Sequence, residues 1–167
     1  NMSDITSNER ENYLISVIVA DRAGVLARVI GAFLRKGFNI DSLSVASVDK
    51  KNEVSRVNIV AKLNELEVNF VMLALKKEVP VYQVEKYRLN SDNVVEQSIT
   101  MIKVRNDDNW KKNSADIIAT YKCTVVEKSE LVILSLASEL KHLSDFTDYV
   151  KETCTFISII NSGIIAM

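Results

Sequence analysis

Hydrophobic positions along this chain switch repeatedly between two periods, and each switch marks an element. Residues 13–20, YLISVIVA, form a nearly continuous apolar run rich in β-branched residues, short enough for a strand. Asp21-Arg22-Ala23-Gly24 breaks it. Beyond Gly24, Val25, Val29 and Phe33 recur at i, i+4 and i+8, and Leu26, Ile30 and Leu34 follow one residue behind. The two rows predict a helix with one broad apolar face. Gly37, after Arg35-Lys36, reads as the residue just past the helix end. Residues 38–48 return to strand character, 49–53 form a polar turn, and 54–62 are the partner strand of a hairpin. Residues 65–78 predict a second helix, apolar over much of its surface and stopped by Pro80. Residues 81–87 alternate as a fourth strand. The order βαββαβ is the ferredoxin-like plan, with two helices on one face of an antiparallel sheet.

Residues 88–95 are short and polar and mark a domain boundary. The same order then repeats: strand 98–104, a weakly apolar helix 110–120, a hairpin of 123–127 and 131–137, helix 139–151 and strand 155–161. The fold class is therefore α+β, two tandem ferredoxin-like units. The divisions are a frayed polar tail over 1–11, a first domain over 12–88 and a second over 96–167. Units this small gain stability by packing on one another or on other chains.

Composition narrows the function. The chain has 167 residues, 47% of them apolar, and a formal net charge of −1, as expected of a globular protein. No apolar run approaches the roughly 20 residues that span a bilayer, and the first residues lack a signal-like apolar core. The setting read from this is cytoplasmic. Lysines and arginines are scattered, so neither nucleic acid nor a membrane is the expected partner. The two cysteines, Cys123 and Cys154, form no Cys-x-x-Cys pattern and sit in strand-like stretches. They read as structural thiols, and no metal site is expected. The single histidine, His142, lies in an amphipathic helix without a neighbouring nucleophile, so no catalytic residue is assigned.

The strand-to-helix turn at 21–26 carries what chemistry there is. A helix start leaves backbone N–H groups unpaired and partly positive, which suits a carboxylate. Gly24 has no side chain to block approach. The N–H groups of Gly24, Val25 and Leu26 could then hold an amino acid's carboxylate, with Asp21 near its ammonium. Asn39, able to donate and accept, suits a zwitterion. The same residues also fit a plain turn in which Asp21 caps the helix and Gly24 only permits the bend. No nucleotide-binding glycine pattern accompanies them.

The run YLISVIVADRAGVLARVIGAFLRKGFNIDSLSVASV at 13–48 resembles the opening of acetolactate synthase small subunits. Its most specific pieces are GVLARVIGAF at 24–33, KGFNIDSLSV at 36–45 and SRVNIV at 55–60. VEQSITMIKV at 95–104 and NSGIIAM at 161–167 are similar more loosely. The resemblance spans about residues 13–167. It implies an N-terminal ACT domain that pairs with a second copy, sheet edge to sheet edge, and a branched-chain effector, typically valine, bound between the pair. The positions that match are Asp21, Ala23, Gly24, Val25 and Leu26 in the first loop, with Asn39 and Ile40 across the pair. It also implies a catalytic large subunit that carries thiamine diphosphate, magnesium and FAD, none of them on this chain. The small subunit would activate that enzyme and confer feedback inhibition without catalysing anything itself. The chain departs from the family at Asp21 (usually Asn), Arg22 (usually acidic), Ala23 (often Pro) and Asn161 (often basic). Two alternatives stand beside this: a free-standing ACT-type sensor of another enzyme or transcription factor, and an enzyme on a ferredoxin-like scaffold.

Overall fold

The structure, a computed structural model, describes residues 9–78 and 80–167. The first unit comprises β1 (Glu11–Ala20), α1 (Val25–Leu34), β2 (Ser42–Asp49), β3 (Val54–Leu63), α2 (Glu65–Lys77) and β4 (Val81–Arg88). Its antiparallel sheet has the order β2-β3-β1-β4. β1 is central and pairs with β3 from Glu11↔Leu63 to Ala20↔Val54. Both of its faces are covered, which is why its sequence runs apolar with little alternation. Tyr13, Ile15, Val17 and Val19 face the helices, and α1 buries Val25, Val29, Ala32 and Phe33 against them. α2 adds Val68, Val71 and Leu75. A capping box starts α2: Glu67 N–H donates to Asn64 Oδ1 and Asn64 N–H to Glu67 Oε2, each at 2.9 Å.

The second unit comprises β5 (Glu96–Arg105), α3 (Asp108–Tyr121), β6 (Thr124–Glu127), β7 (Leu131–Ser138), α4 (Leu140–Thr153) and β8 (Phe156–Asn161), with the strand path β6-β7-β5-β8. Its core is Ile102, Val104, Trp110, Ile117, Val132, Leu134, Phe146 and Val150, closed by both cysteines. Each unit is thus a ferredoxin-like α+β layer pair.

Four features differ from the sequence reading. Residues 1–8 of the expected tail lie outside the described residues, while Glu11 already belongs to β1. β2 begins at Ser42 rather than Phe38. Phe38 and Ile40 are apolar because they pack on the core from a loop, and the ladder is reached only at Asp41, whose N–H donates to Val60 O at 2.8 Å. In α1 only the first predicted row is buried, and Leu26 and Leu34 stand exposed.

The last five residues, Gly163–Met167, group with the first unit rather than the second. They include a short strand, β9 (Ile165–Ala166), that the sequence pattern does not suggest. Ile164 joins Leu14, Val60 and Leu89 in a small core on the sheet face opposite the helices. Ile164 N–H donates to Ser42 Oγ at 3.0 Å, and Val95 and Met167 exchange backbone hydrogen bonds of 2.9 and 3.0 Å. Gly163 lies so close to β2 that a Cβ there would sit 2.7 Å from the Ser44 Cβ. Only a glycine fits without displacing backbone.

Candidate functional site

The turn between β1 and α1 is fastened from two sides. Asp21 N–H donates to Glu53 O (2.6 Å) at the tip of the β2–β3 hairpin, and Ala20 N–H to Pro80 O (3.1 Å). Gly24, at φ 82° and ψ −13°, turns the chain into α1 from the left-handed region. The helix start has no side-chain cap, so Asp21 does not cap it. Of the three amides expected to be free, the Val25 N–H is taken by Arg22 O at 3.2 Å. The N–H groups of Gly24 and Leu26 have no hydrogen-bond partner among the described residues. Residues 21–24 are all exposed, so two unpaired donors at the positive end of a helix face solvent.

Asn39 and Ile40 lie elsewhere in the same chain. The turn sits where Ala20 pairs with Val54. Residues 39–41 enter the sheet where Ser42 pairs with Val60, six positions further along β3. At roughly 3.4 Å per residue that is about 20 Å. One copy therefore brings Asp21, Ala23, Gly24, Val25 and Leu26 together and leaves Asn39 and Ile40 apart. Asn39 is exposed, and Ile40 is partly buried against the core.

β2 is the edge of its sheet, and its apolar side chains Leu43, Val45 and Val48 are exposed. Leu43 and Val45 stand opposite the core residues Ile59 and Val57, on the helix-covered face. They make this free edge apolar, and Leu26 and Leu34 on α1 are exposed as well.

The equivalent turn of the second unit is closed. There the Asp107 carboxylate accepts from the N–H groups of Asn109 (3.1 Å) and Trp110 (3.2 Å) and from the Thr155 hydroxyl (2.5 Å). These bonds, the Thr155 hydroxyl's foremost, hold its carboxyl below the usual range. The repeat therefore preserves the fold but fills the helix start with its own side chain. His142 lies with its ring centroid 5.5 Å from that of Tyr121 in an aromatic cluster with Phe146 and Tyr149. Burial pushes the Cys123 and Cys154 thiols up, away from the reactive thiolate. Among the described residues no group of three His, Cys, Asp or Glu side chains could hold a metal ion. No helix of the described residues is long and apolar enough to cross a membrane.

Glu53 escapes any reading of the sequence. It fixes the turn through its carbonyl while itself held at a φ of 53°. A backbone role leaves no side-chain signal.

A family profile described as "AHAS small subunit-like ACT domain" matches residues 15–83. The acetolactate synthase small subunit of Mycolicibacterium smegmatis is 32% identical over 123 residues, 74% of this chain and 71% of that protein. The one from Haemophilus influenzae is 31% identical over 92% of this chain and 93% of its own. Among solved structures, the acetolactate synthase small subunit from Thermotoga maritima superimposes with a TM-score of 0.83 at 26% identity, covering 94% of this chain and 96% of that one.

Proposed function

Because this chain belongs to the family of acetolactate synthase small subunits, we propose that it is the regulatory partner of an acetolactate synthase large subunit in the cytoplasm. In this reading it activates that enzyme and transmits feedback inhibition by a branched-chain amino acid, valine first. The synthesis of acetolactate is then the work of the large subunit, and this chain supplies control of branched-chain amino-acid synthesis.

The observation that carries the effector site is the uncapped α1 start, with Gly24 and Leu26 N–H groups open to solvent at the end of a sheet with a free, apolar edge. The valine carboxylate would accept from those two amides. Pairing of two copies along β2, antiparallel about a two-fold axis, reverses the second strand. It would carry Asn39 and Ile40 of one copy toward the Asp49 end of the other, beside its turn. Asn39 would then bridge the effector's charged groups, and Ile40 with Leu26 would face its aliphatic side chain. Asp21 takes the ammonium end, which turns its extra negative charge into an attraction. An effector that bridges two copies favours one arrangement of the pair, by no more than its difference in affinity for the two arrangements.

Calorimetry with valine, leucine and isoleucine tests the pocket. Asn39→Ala removes one hydrogen bond to a charged ligand, on the order of 1.5–3 kcal/mol. Gly24→Asp sets a carboxylate against the amides and is expected to abolish binding. Equal affinity in all three proteins would rule the pocket out. Mixing the chain with its large subunit tests the regulatory role: acetolactate formation from pyruvate should rise with added chain and fall again with valine.

A further inference from the structure

Helix α2 presents an apolar stripe to solvent on the face opposite its core contacts. Val68, Val71 and Leu75 are buried, whereas Leu66, Phe70 and Leu73 are 70%, 47% and 59% exposed. Their spacing, i, i+4 and i+7, is that of a helix face seated against a partner. A surface helix of an isolated domain places polar residues there. The stripe is rimmed by cations. The Lys36 ammonium sits 4.4 Å from the centroid of the Phe70 ring, Lys77 continues the stripe at the next turn, and Lys86 donates to Asn69 Oδ1 at 3.0 Å. Lys76 borders a shallow cavity of about 300 Å³ with Val81, Tyr82, Gln83 and Val84. Two carboxylates of the α2 segment are already occupied: Glu67 by Arg10 at 2.6 Å and Glu78 by Arg35 at 3.0 Å. Glu65, at the far N-terminal end, is the acidic exception. The lysines thus face outward without internal counter-charges of equal number.

We infer that this face of α2 is the surface by which the chain docks on the catalytic large subunit, in an apolar groove bordered by aspartates and glutamates; the inference rests on the regulatory reading above. α2 packs against β4, at the sheet edge opposite β2, so pairing of two copies through β2 leaves the stripe free. A second copy is the poorer occupant on charge. Two-fold packing of α2 on itself centres on Phe70 and Leu73 and brings together the two Lys36 ammonium groups, one over each ring, in a dehydrated contact. A partner with carboxylates at the rim meets the same lysines with attraction, and the cavity beside Lys76 offers a socket for one apolar side chain.

The test titrates three proteins against the large subunit and reads acetolactate formation: the unchanged chain, Leu66→Gln/Leu73→Gln, and Lys36→Glu/Lys77→Glu. All substituted side chains are exposed, and circular dichroism checks that the fold is retained. The concentration for half-maximal activation should rise at least tenfold in both variants, while the molecular mass in solution and the heat of valine binding stay unchanged. An activation curve that superimposes on that of the unchanged chain, in either variant, overturns the inference. A fall in solution mass with Leu66→Gln/Leu73→Gln also overturns it, because a second copy then covers the stripe. If the unchanged chain itself fails to activate, the regulatory reading falls and takes this one with it, a result distinct from failure of the variants alone.

Discussion

Gly24 is where fold and proposed chemistry can be separated experimentally. Its φ of 82° lies in the left-handed region, and an added Cβ would meet no atom within 4 Å. A side chain at this position is therefore opposed by backbone conformation alone, by about 1–2 kcal/mol for alanine. Among the described residues the first unit comprises those from 9 to 95 together with Gly163–Met167. For about ninety residues, unfolding entropy near 2.1 cal/mol/K per residue converts each kcal/mol to about 5 °C. Gly24→Ala should lower the melting temperature of that unit by about 5–10 °C. Asparagine tolerates the left-handed region better, so Gly24→Asn should lower it less. Both side chains stand beside the Gly24 and Leu26 amides, and asparagine is the larger. Valine affinity should fall in both variants, and at least as far in the asparagine one. Scanning calorimetry and ligand titration on the same samples give the two orders. Affinity losses that simply follow the losses in melting temperature would refute the idea that the turn itself grips the ligand. An alanine variant that melts with the unchanged chain would refute the conformational argument.

Val45→Lys places a charge on the exposed edge strand β2, which should convert dimers to monomers in light scattering and remove valine binding with them. The Glu96 carboxyl, pushed up by burial and by the neighbouring Glu139 carboxylate, keeps its proton in the folded chain when the unfolded chain has released it. Stability of the second unit should therefore fall as pH rises above the ordinary glutamate range. Glu96→Gln should remove that slope, so its melting temperature should exceed that of the unchanged chain at pH 8 and converge with it at acid pH; parallel curves would count against this. Deleting Gly163–Met167 uncovers Leu14, Val60 and Leu89 and loses the Ile164 side chain and its hydrogen bond to Ser42. A loss of about 2–4 kcal/mol is expected, and unchanged thermal unfolding of the first unit would contradict it.

What could be read from the sequence divides along physical lines. Periodicity carried the twofold βαββαβ plan because burial of one helix face and alternation in strands are local signals. It could not distinguish an apolar residue that fills the core from one left exposed, so Leu26 and Leu34 looked like Val29 and Phe33. Nor could it separate Phe38 and Ile40, packed from a loop, from the strand that follows. Asp21 looked like a helix cap as readily as a ligand contact, and the uncapped Gly24 geometry removes the first of these readings. The separation of Asn39 from Gly24 depends on the register of β3 against two neighbours, which has no local signature. The return of Gly163–Met167 to the first unit likewise depends on a contact between positions more than a hundred residues apart.

That return has a consequence for the order of synthesis. Val95 and Met167 are bonded neighbours, so Glu96–Ser162 is an insertion between two segments of the first unit. A ribosome delivers the ACT unit's helices and strands before Glu96–Ser162, yet its outer layer only after that insertion has emerged. Until then a nascent chain carries Leu14, Val60 and Leu89 without the isoleucine that seals them, so the first unit is completed only after the second has been made.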